Sequence, residues 1–206
     1  MPKGSPELTA LRKEEIINAC EKLYKTMSFK EITIKEIGAV TSFKRTSIYN
    51  YFQTKEEIFL ALMKREYTQW AEEINKISAQ NEVMSADEFA KALAHTLENH
   101  EQLLKLLAMN HYDMEENSRP EQLTEFKIAY GASIDAVRTC IEKFFPSVDS
   151  ERFIFVFFPF LFGIYPYTFA TDRQLKAMRE ANMNFKMHSI YEIVYFCIIQ
   201  LTEDKK

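Results

Sequence analysis

The sequence predicts an all-α protein, with a short three-helix unit ahead of a longer helical body. Three observations carry this reading. Only 4 Gly and 6 Pro occur in 206 residues, too few for a turn-rich β fold. Apolar residues recur at helical spacing along most of the chain. The pairs Thr33/Glu36, Thr54/Glu57 and Ser85/Glu88 have the S/T-x-x-E spacing of capping boxes, and each box starts a helix.

Residues 1–8 carry Pro and Gly and read as a loose arm. Thr9 to Met27 is a helix whose stripe is Ile16, Cys20, Leu23 and Met27, with Ile17 and Tyr24 beside it. Lys3, Arg12 and Lys13 suit either phosphate or a solvated face. After a link over Ser28–Ile32, Thr33 starts a short helix bearing Ile34, Ile37 and Val40. The pattern breaks at Thr41-Ser42 and resumes at about Lys44. There Ile48, Tyr51 and Phe52 share an inward face, while Arg45, Thr46, Ser47, Tyr49 and Asn50 look elsewhere. Two short helices joined by a tight turn form a helix-turn-helix, which needs the preceding helix to close its core. A cation, two hydroxyls, a phenol and an amide suit base edges and phosphates. A plain solvated helix face has the same composition.

Residues 9–65 resemble the DNA-binding domain of the tetracycline-repressor (TetR) family of regulators. The resemblance lies in Phe29, Thr33, Ile34 and Ile37, then Phe43, and in the run Ser47-Ile48-Tyr49-Asn50-Tyr51-Phe52 followed by Thr54-Lys55-Glu56-Glu57. Ser42 stands where the family usually has Gly, and Lys44 where it often has a small cap residue, so the resemblance leaves the turn geometry open. Residues 66–206 are similar to the family in length and helical character only.

A long helix from Lys55 to about Ser78 carries Met63, Tyr67, Trp70, Ile74 and Ile77, and is expected to connect the two parts. Helices follow from Ser85 to about Asn99 and from about Glu101 through Met109, the latter fading over Asn110-His111-Tyr112-Asp113. Arg119-Pro120 opens a long helix that stops before Pro146, with Pro at an early position where its missing N–H costs nothing. Residues 153–170 hold no charge. A run of that length is a candidate membrane span, but Pro159, Gly163 and Pro166 favour a helix buried inside the body, kinked at Pro159. Asp172 to about Asn182 is a polar helix. The last helix, Phe185 to Leu201, is apolar on more than one face, and a second copy of the chain would cover the excess.

The charge of −4 is uneven: residues 1–66 hold 12 Lys and Arg against 9 Asp and Glu, and the remainder 14 against 21. A mildly basic unit on an acidic body fits a DNA reader on a regulatory body. Cys20, Cys140 and Cys197 are isolated within apolar patterns, as buried thiols in a reducing compartment are, and no signal peptide is evident; a cytoplasmic protein is expected. His95, His100, His111 and His188 lack metal-ligand spacing. No phosphate-binding Gly-rich loop or nucleophile motif is present, and Glu115-Glu116 reads as a solvated pair. No metal, cofactor or catalytic residue is therefore expected.

The resemblance implies a ligand-responsive transcriptional regulator, most often a repressor, with a DNA-binding domain over residues 1–53 and an effector-binding and dimerisation domain over 54–206. A homodimer would bind double-stranded, palindromic operator DNA through two recognition helices. The family's contact positions fall on Thr33, Lys44, Arg45, Thr46, Ser47, Tyr49, Asn50 and Lys55, with Arg45 suited to guanine and Thr33 and Lys55 to phosphate. Met109, Tyr112, Phe126, Tyr130, Phe157, Leu161 and Tyr165 are candidates to line a site for a small apolar or aromatic effector, with Asn110 and His111 as polar groups at one end. A membrane-associated helical protein using residues 153–170 and, further off, an enzyme are the alternatives.

Overall fold

A computed structural model describes residues 5–109 and 111–203, and of His111 its backbone; Lys3, Asn110 and the His111 side chain lie outside what is described. Among the described residues every regular element is helical, as the sequence predicts. The chain divides into two compact units, Met1–Arg65 with Asn110–Tyr130, and Glu66–Met109 with Gly131–Lys206.

The first unit opens with α1 (Pro6–Tyr24), three residues earlier than expected, because Ser5 caps it by accepting the Leu8 N–H at 3.3 Å. In α2 (Ile34–Val40) the Thr33 hydroxyl accepts the Lys35 and Glu36 N–H groups. Of its expected stripe only Ile37 is fully buried; Val40 is exposed. The next helix, Arg45–Asn50, is 3₁₀. Its N-cap is Lys44, whose side chain makes no capping bond. An uncapped six-residue segment has little to hold it in the wider α geometry. The long α3 (Lys55–Gln80) begins behind the Thr54 hydroxyl, which accepts the Glu57 N–H at 3.2 Å. Ile16, Cys20, Ile32, Ile37, Ile48 and Phe59 are wholly buried, and the Tyr24 and Phe29 rings stand edge-on to Phe59 at 5.2 and 4.8 Å. Each such side chain contributes roughly 1.5–3 kcal/mol by leaving water. Residues 111–130 complete the unit with α6 (His111–Glu116), where the sequence suggested a fading helix, and the start of α7 (Pro120–Phe144).

The second unit holds the remainder of α3 and α7, with α4 (Ala86–Asn99), α5 (Glu101–Leu107), α8 (Ser150–Thr168), α9 (Asp172–Glu180) and α10 (Ile190–Thr202). The Ser85/Glu88 capping box forms as expected. Trp70 is fully buried, gives its indole N–H to Thr96 at 2.9 Å and lies 5.9 Å from the Phe158 ring. α10 begins at residue 190 and not 185, because Ser189 and Glu192 form a capping box there and Asn182, with φ 52°, ends the chain's path out of α9.

The uncharged run that makes up most of α8 does not sit inside the body on all sides. Phe153, Phe157, Phe158, Leu161 and Ile164 are buried, whereas Phe155, Val156, Phe162 and Tyr167 are exposed. Pro159 and Pro166 lie on the exposed side, where water can satisfy the carbonyls they leave unpaired. Among the described residues no single helix is long and apolar enough to cross a membrane.

Candidate nucleic-acid interface

The 3₁₀ helix turns Ile48 into the core and the following Phe52 with it, so the remaining side chains face outward. Lys44, Arg45, Thr46 and Asn50 are exposed, Tyr49 is 53% exposed and Ser47 is half-buried. Neither cationic head here, of Lys44 or Arg45, takes a partner among the described residues. Thr33, at the N-terminus of α2, is exposed as well. Six of the eight residues expected at a DNA surface thus lie on one short segment, 44–50, and a seventh caps the neighbouring helix.

The turn before this helix is built without a left-handed residue, since the only non-glycine with positive φ among the described residues is Asn182. Ser42 therefore meets no backbone penalty where glycine is usual. α1 pins the turn instead: the Glu15 carboxylate accepts the Ser42 N–H, and Arg12 donates to Ser42 Oγ at 3.0 Å, pairs with Glu15 at 3.1 Å and lies 4.5 Å from the Phe43 ring centre. These bonds, the Ser42 N–H first, hold the Glu15 carboxyl below its ordinary range. Arg12 is engaged inside the unit. So is Lys55, whose ammonium donates to the carbonyls of Phe29 at 2.8 Å and Ile32 at 3.2 Å and sits 4.0 Å from the Phe29 ring centre.

Just after segment 44–50 a buried carboxylate pairs with a half-exposed arginine, an ion pair that sequence reasoning missed. Glu57 is fully buried. One carboxylate oxygen accepts the Gln53 N–H at 2.7 Å and Arg119 Nη2 at 2.8 Å; the other accepts Arg119 Nε at 2.6 Å and the Arg119 backbone N–H at 3.1 Å. Burial alone would raise the Glu57 carboxyl, but the bonds from Arg119 and Gln53 outweigh it and leave it lowered. Arg119 precedes α7, and its carbonyl accepts the Leu123 N–H. A cation at a helix N-terminus opposes the helix dipole, and that mismatch was the available hint that Arg119 has a partner.

The effector candidates divide between the units. In the first, Phe126 is buried and stacks on Tyr130 at 6.4 Å, while Tyr112 is 80% exposed. Burial raises the Tyr130 phenol. In the second, Phe157 and Leu161 are buried in the core, Met109 is half-buried, and Tyr165 packs on Phe169 at 4.6 Å. Its phenol is raised by burial and then by the charge of Glu101. On α5 and α8, which pack together, Gln102 Nε2 and Thr168 Oγ1 are buried without hydrogen-bond partners among the described residues. A separate apolar groove of about 390 Å³ lies along the other side of α8, lined by Phe160, Gly163, Tyr167, Phe185 and Ile193.

A helix-turn-helix with an outward polar face, followed by an all-helical body, defines a DNA-binding regulator. The sequence matches the profile of bacterial regulatory proteins of the tetR family over residues 16–62, and that of the tetracyclin repressor-like C-terminal domain over residues 64–188. The chain belongs to this family and is a ligand-responsive, DNA-binding transcriptional regulator. A comparison with curated proteins gives no match. Among solved structures it is similar to a TetR/AcrR-family regulator from Thermobifida fusca, with 17% identity over 95% of this chain and 98% of that one and a TM-score of 0.60. It is also similar to the fatty acid degradation regulator FadR from Bacillus halodurans, with 15% identity, 100% and 99% coverage and a TM-score of 0.57. FadR from Bacillus subtilis, solved with stearoyl-CoA, aligns at 15% identity, 94% and 99% coverage and a TM-score of 0.58. At these identities the likeness is one of fold.

Proposed function

We propose that this chain represses transcription as a homodimer on a palindromic operator and leaves it when a small apolar or aromatic effector enters the helical body. Residues 1–53 read DNA and residues 54–206 sense and dimerise. The observation that carries the reading is the segment 44–50, where two cations without a partner among the described residues, hydroxyls, a phenol and an amide stand outward around one buried isoleucine. Arg45 reads a base edge, with Thr46 and Ser47 beside it; Lys44, Tyr49 and Asn50 flank them, and Thr33 meets phosphate through its helix N-terminus. Lys55 acts on phosphate only by setting the start of α3, since its head already holds two carbonyls. Exposed apolar side chains on α8 and α10 support a dimer face. In the second unit the buried Phe157 and Leu161 and the half-buried Tyr165 and Met109 support an apolar effector, as does the stacked Phe126–Tyr130 pair within the first unit.

The test selects duplexes bound by the full-length protein from a random-sequence library. An inverted repeat should emerge, bound about a thousandfold or more tighter than its scrambled version at physiological salt. A panel of long-chain acyl-CoAs, including stearoyl-CoA, and of flat aromatic compounds should then contain at least one that both raises the melting temperature and releases the selected duplex. Equal affinity for selected and scrambled duplexes would falsify the DNA-reading assignment.

A further inference from the structure

We infer that Arg119 is the positioning residue of the DNA-reading helix. This rests on the reading that segment 44–50 meets DNA. The helix offers little to fix itself: it is six residues of 3₁₀ geometry with no side-chain cap at its start. Its far end is fixed from outside. The Tyr51 carbonyl accepts Arg119 Nη2 at 3.1 Å, and the same guanidinium holds both oxygens of Glu57. Glu57 in turn accepts the Gln53 N–H, and next to it the Thr54 hydroxyl donates to the Asn117 carbonyl at 2.9 Å. Residues 51–54, which follow the reading helix, are therefore stitched to residues 117–119, which lead into α7.

The stitch is demanding chemistry. The Glu57 side chain is 1% exposed, so its charge depends on the planar two-point grip that only a guanidinium supplies. Arg119 touches both this carboxylate and the carbonyl of Tyr51, the residue that caps the reading helix. Base readout requires side chains held in register with base edges, whereas attraction to phosphate does not. Loosening the stitch should then cost specific binding and spare non-specific binding.

Arg119→Lys and Arg119→Gln in the full-length protein test this. The probes are the duplex selected by the wild type and its scrambled version, read by fluorescence anisotropy, with hydrogen exchange over residues 45–57 and thermal unfolding measured alongside. Arg119→Lys keeps the charge and loses the fork. It should bind the selected duplex about tenfold or more weakly. It should hold the scrambled duplex within about twofold of wild type. Exchange should quicken at residues 51–57. If Arg119→Gln fails to fold, Arg119→Lys decides. Wild-type selectivity in Arg119→Lys overturns the proposal, and so does an equal loss on both duplexes, which marks a general loss of fold. A wild type that does not discriminate the duplexes overturns the interface reading, and the proposal with it.

Discussion

Two residues on either side of one contact separate reading DNA from supporting the reader. Arg45 is exposed and its head has no partner among the described residues. Arg45→Ala should therefore leave stability within about 0.5 kcal/mol of wild type. It should weaken the selected duplex by about 1–3 kcal/mol if the guanidinium pairs with guanine. Gly38 faces it from α2, and a Cβ there would come within 2.9 Å of Arg45 Cβ and 3.1 Å of its Cα. Backbone on that side cannot swing away as a side-chain tip can, so Gly38→Ala should push the reading helix outward. A cost of about 1–3 kcal/mol in stability is expected, together with a loss of specific binding. Denaturant midpoints beside anisotropy titrations distinguish the two variants, and an Arg45→Ala protein that binds like wild type ends the guanine assignment. The outward residues were legible in the sequence because they surround Ile48 at helical spacing. Their supports were not: Glu15 lies 27 residues from Ser42 and Arg119 lies 62 from Glu57, and no local pattern links partners so distant.

Helix starts were legible where a local signal met no competing pattern. The Ser85/Glu88 box forms as read, because donor and acceptor are three residues apart and need only each other. The Ser189/Glu192 box carries the same signal, but apolar residues upstream at Phe185 and Met187 extend the periodic pattern past it. The 3₁₀ form of residues 45–50 shows in the sequence only as a missing cap at Lys44. Between α4 and α5 an element junction depends on a titrating group. His100 ends one helix and begins the next, and its buried ring places Nδ1 3.3 Å from Glu66 and Nε2 3.5 Å from Glu73, both on α3. Burial disfavours the imidazolium, yet the Glu66 hydrogen bond and the two carboxylate charges outweigh it and raise the histidine above its ordinary value. A raised value means the folded state binds the proton more tightly than the unfolded state. The associated stability is complete below about pH 6.5 and is lost as pH rises through the folded value. Urea midpoints taken at mildly acid and mildly alkaline pH should fall with pH more in the wild type than in His100→Gln, which cannot titrate. Equal slopes in the two proteins would mean that His100 is not the group responsible.

For the molecule as a whole, the open question is what covers the apolar side of α8 and α10. The two helices run antiparallel, since Phe153 and Leu201 line one pocket while Ile164 and Ile193 line another. Their inward sides are spent on the core, with Phe157, Leu161 and Ile198 buried, and at the surface Tyr195 gives its hydroxyl to Asp87 at 2.8 Å. A charge at Ile198 would therefore unfold the body before it tested any interface. The outward sides are different. Phe155 is 81% exposed and Phe196 is 59% exposed, with Val156, Phe162 and Tyr167 nearby in the sequence of α8. Large exposed apolar side chains on two helices that pack together point to an interaction face. A second copy of the chain suits it, because an isologous contact pairs the face with itself and yields the two-fold symmetry that a palindromic operator requires. Phe155→Glu costs the single chain almost nothing, as the side chain already faces water, but in a dimer it buries an unpaired carboxylate in the contact. Light scattering should show two chains for the wild type at micromolar concentration and one for Phe155→Glu, with circular dichroism unchanged between them. The monomer should also lose most of its affinity for the palindrome while keeping a weak affinity for a half-site. A Phe155→Glu protein that remains a dimer would take α8 out of the interface, and a folded monomer that binds the palindrome as the wild type does would take the dimer out of operator recognition.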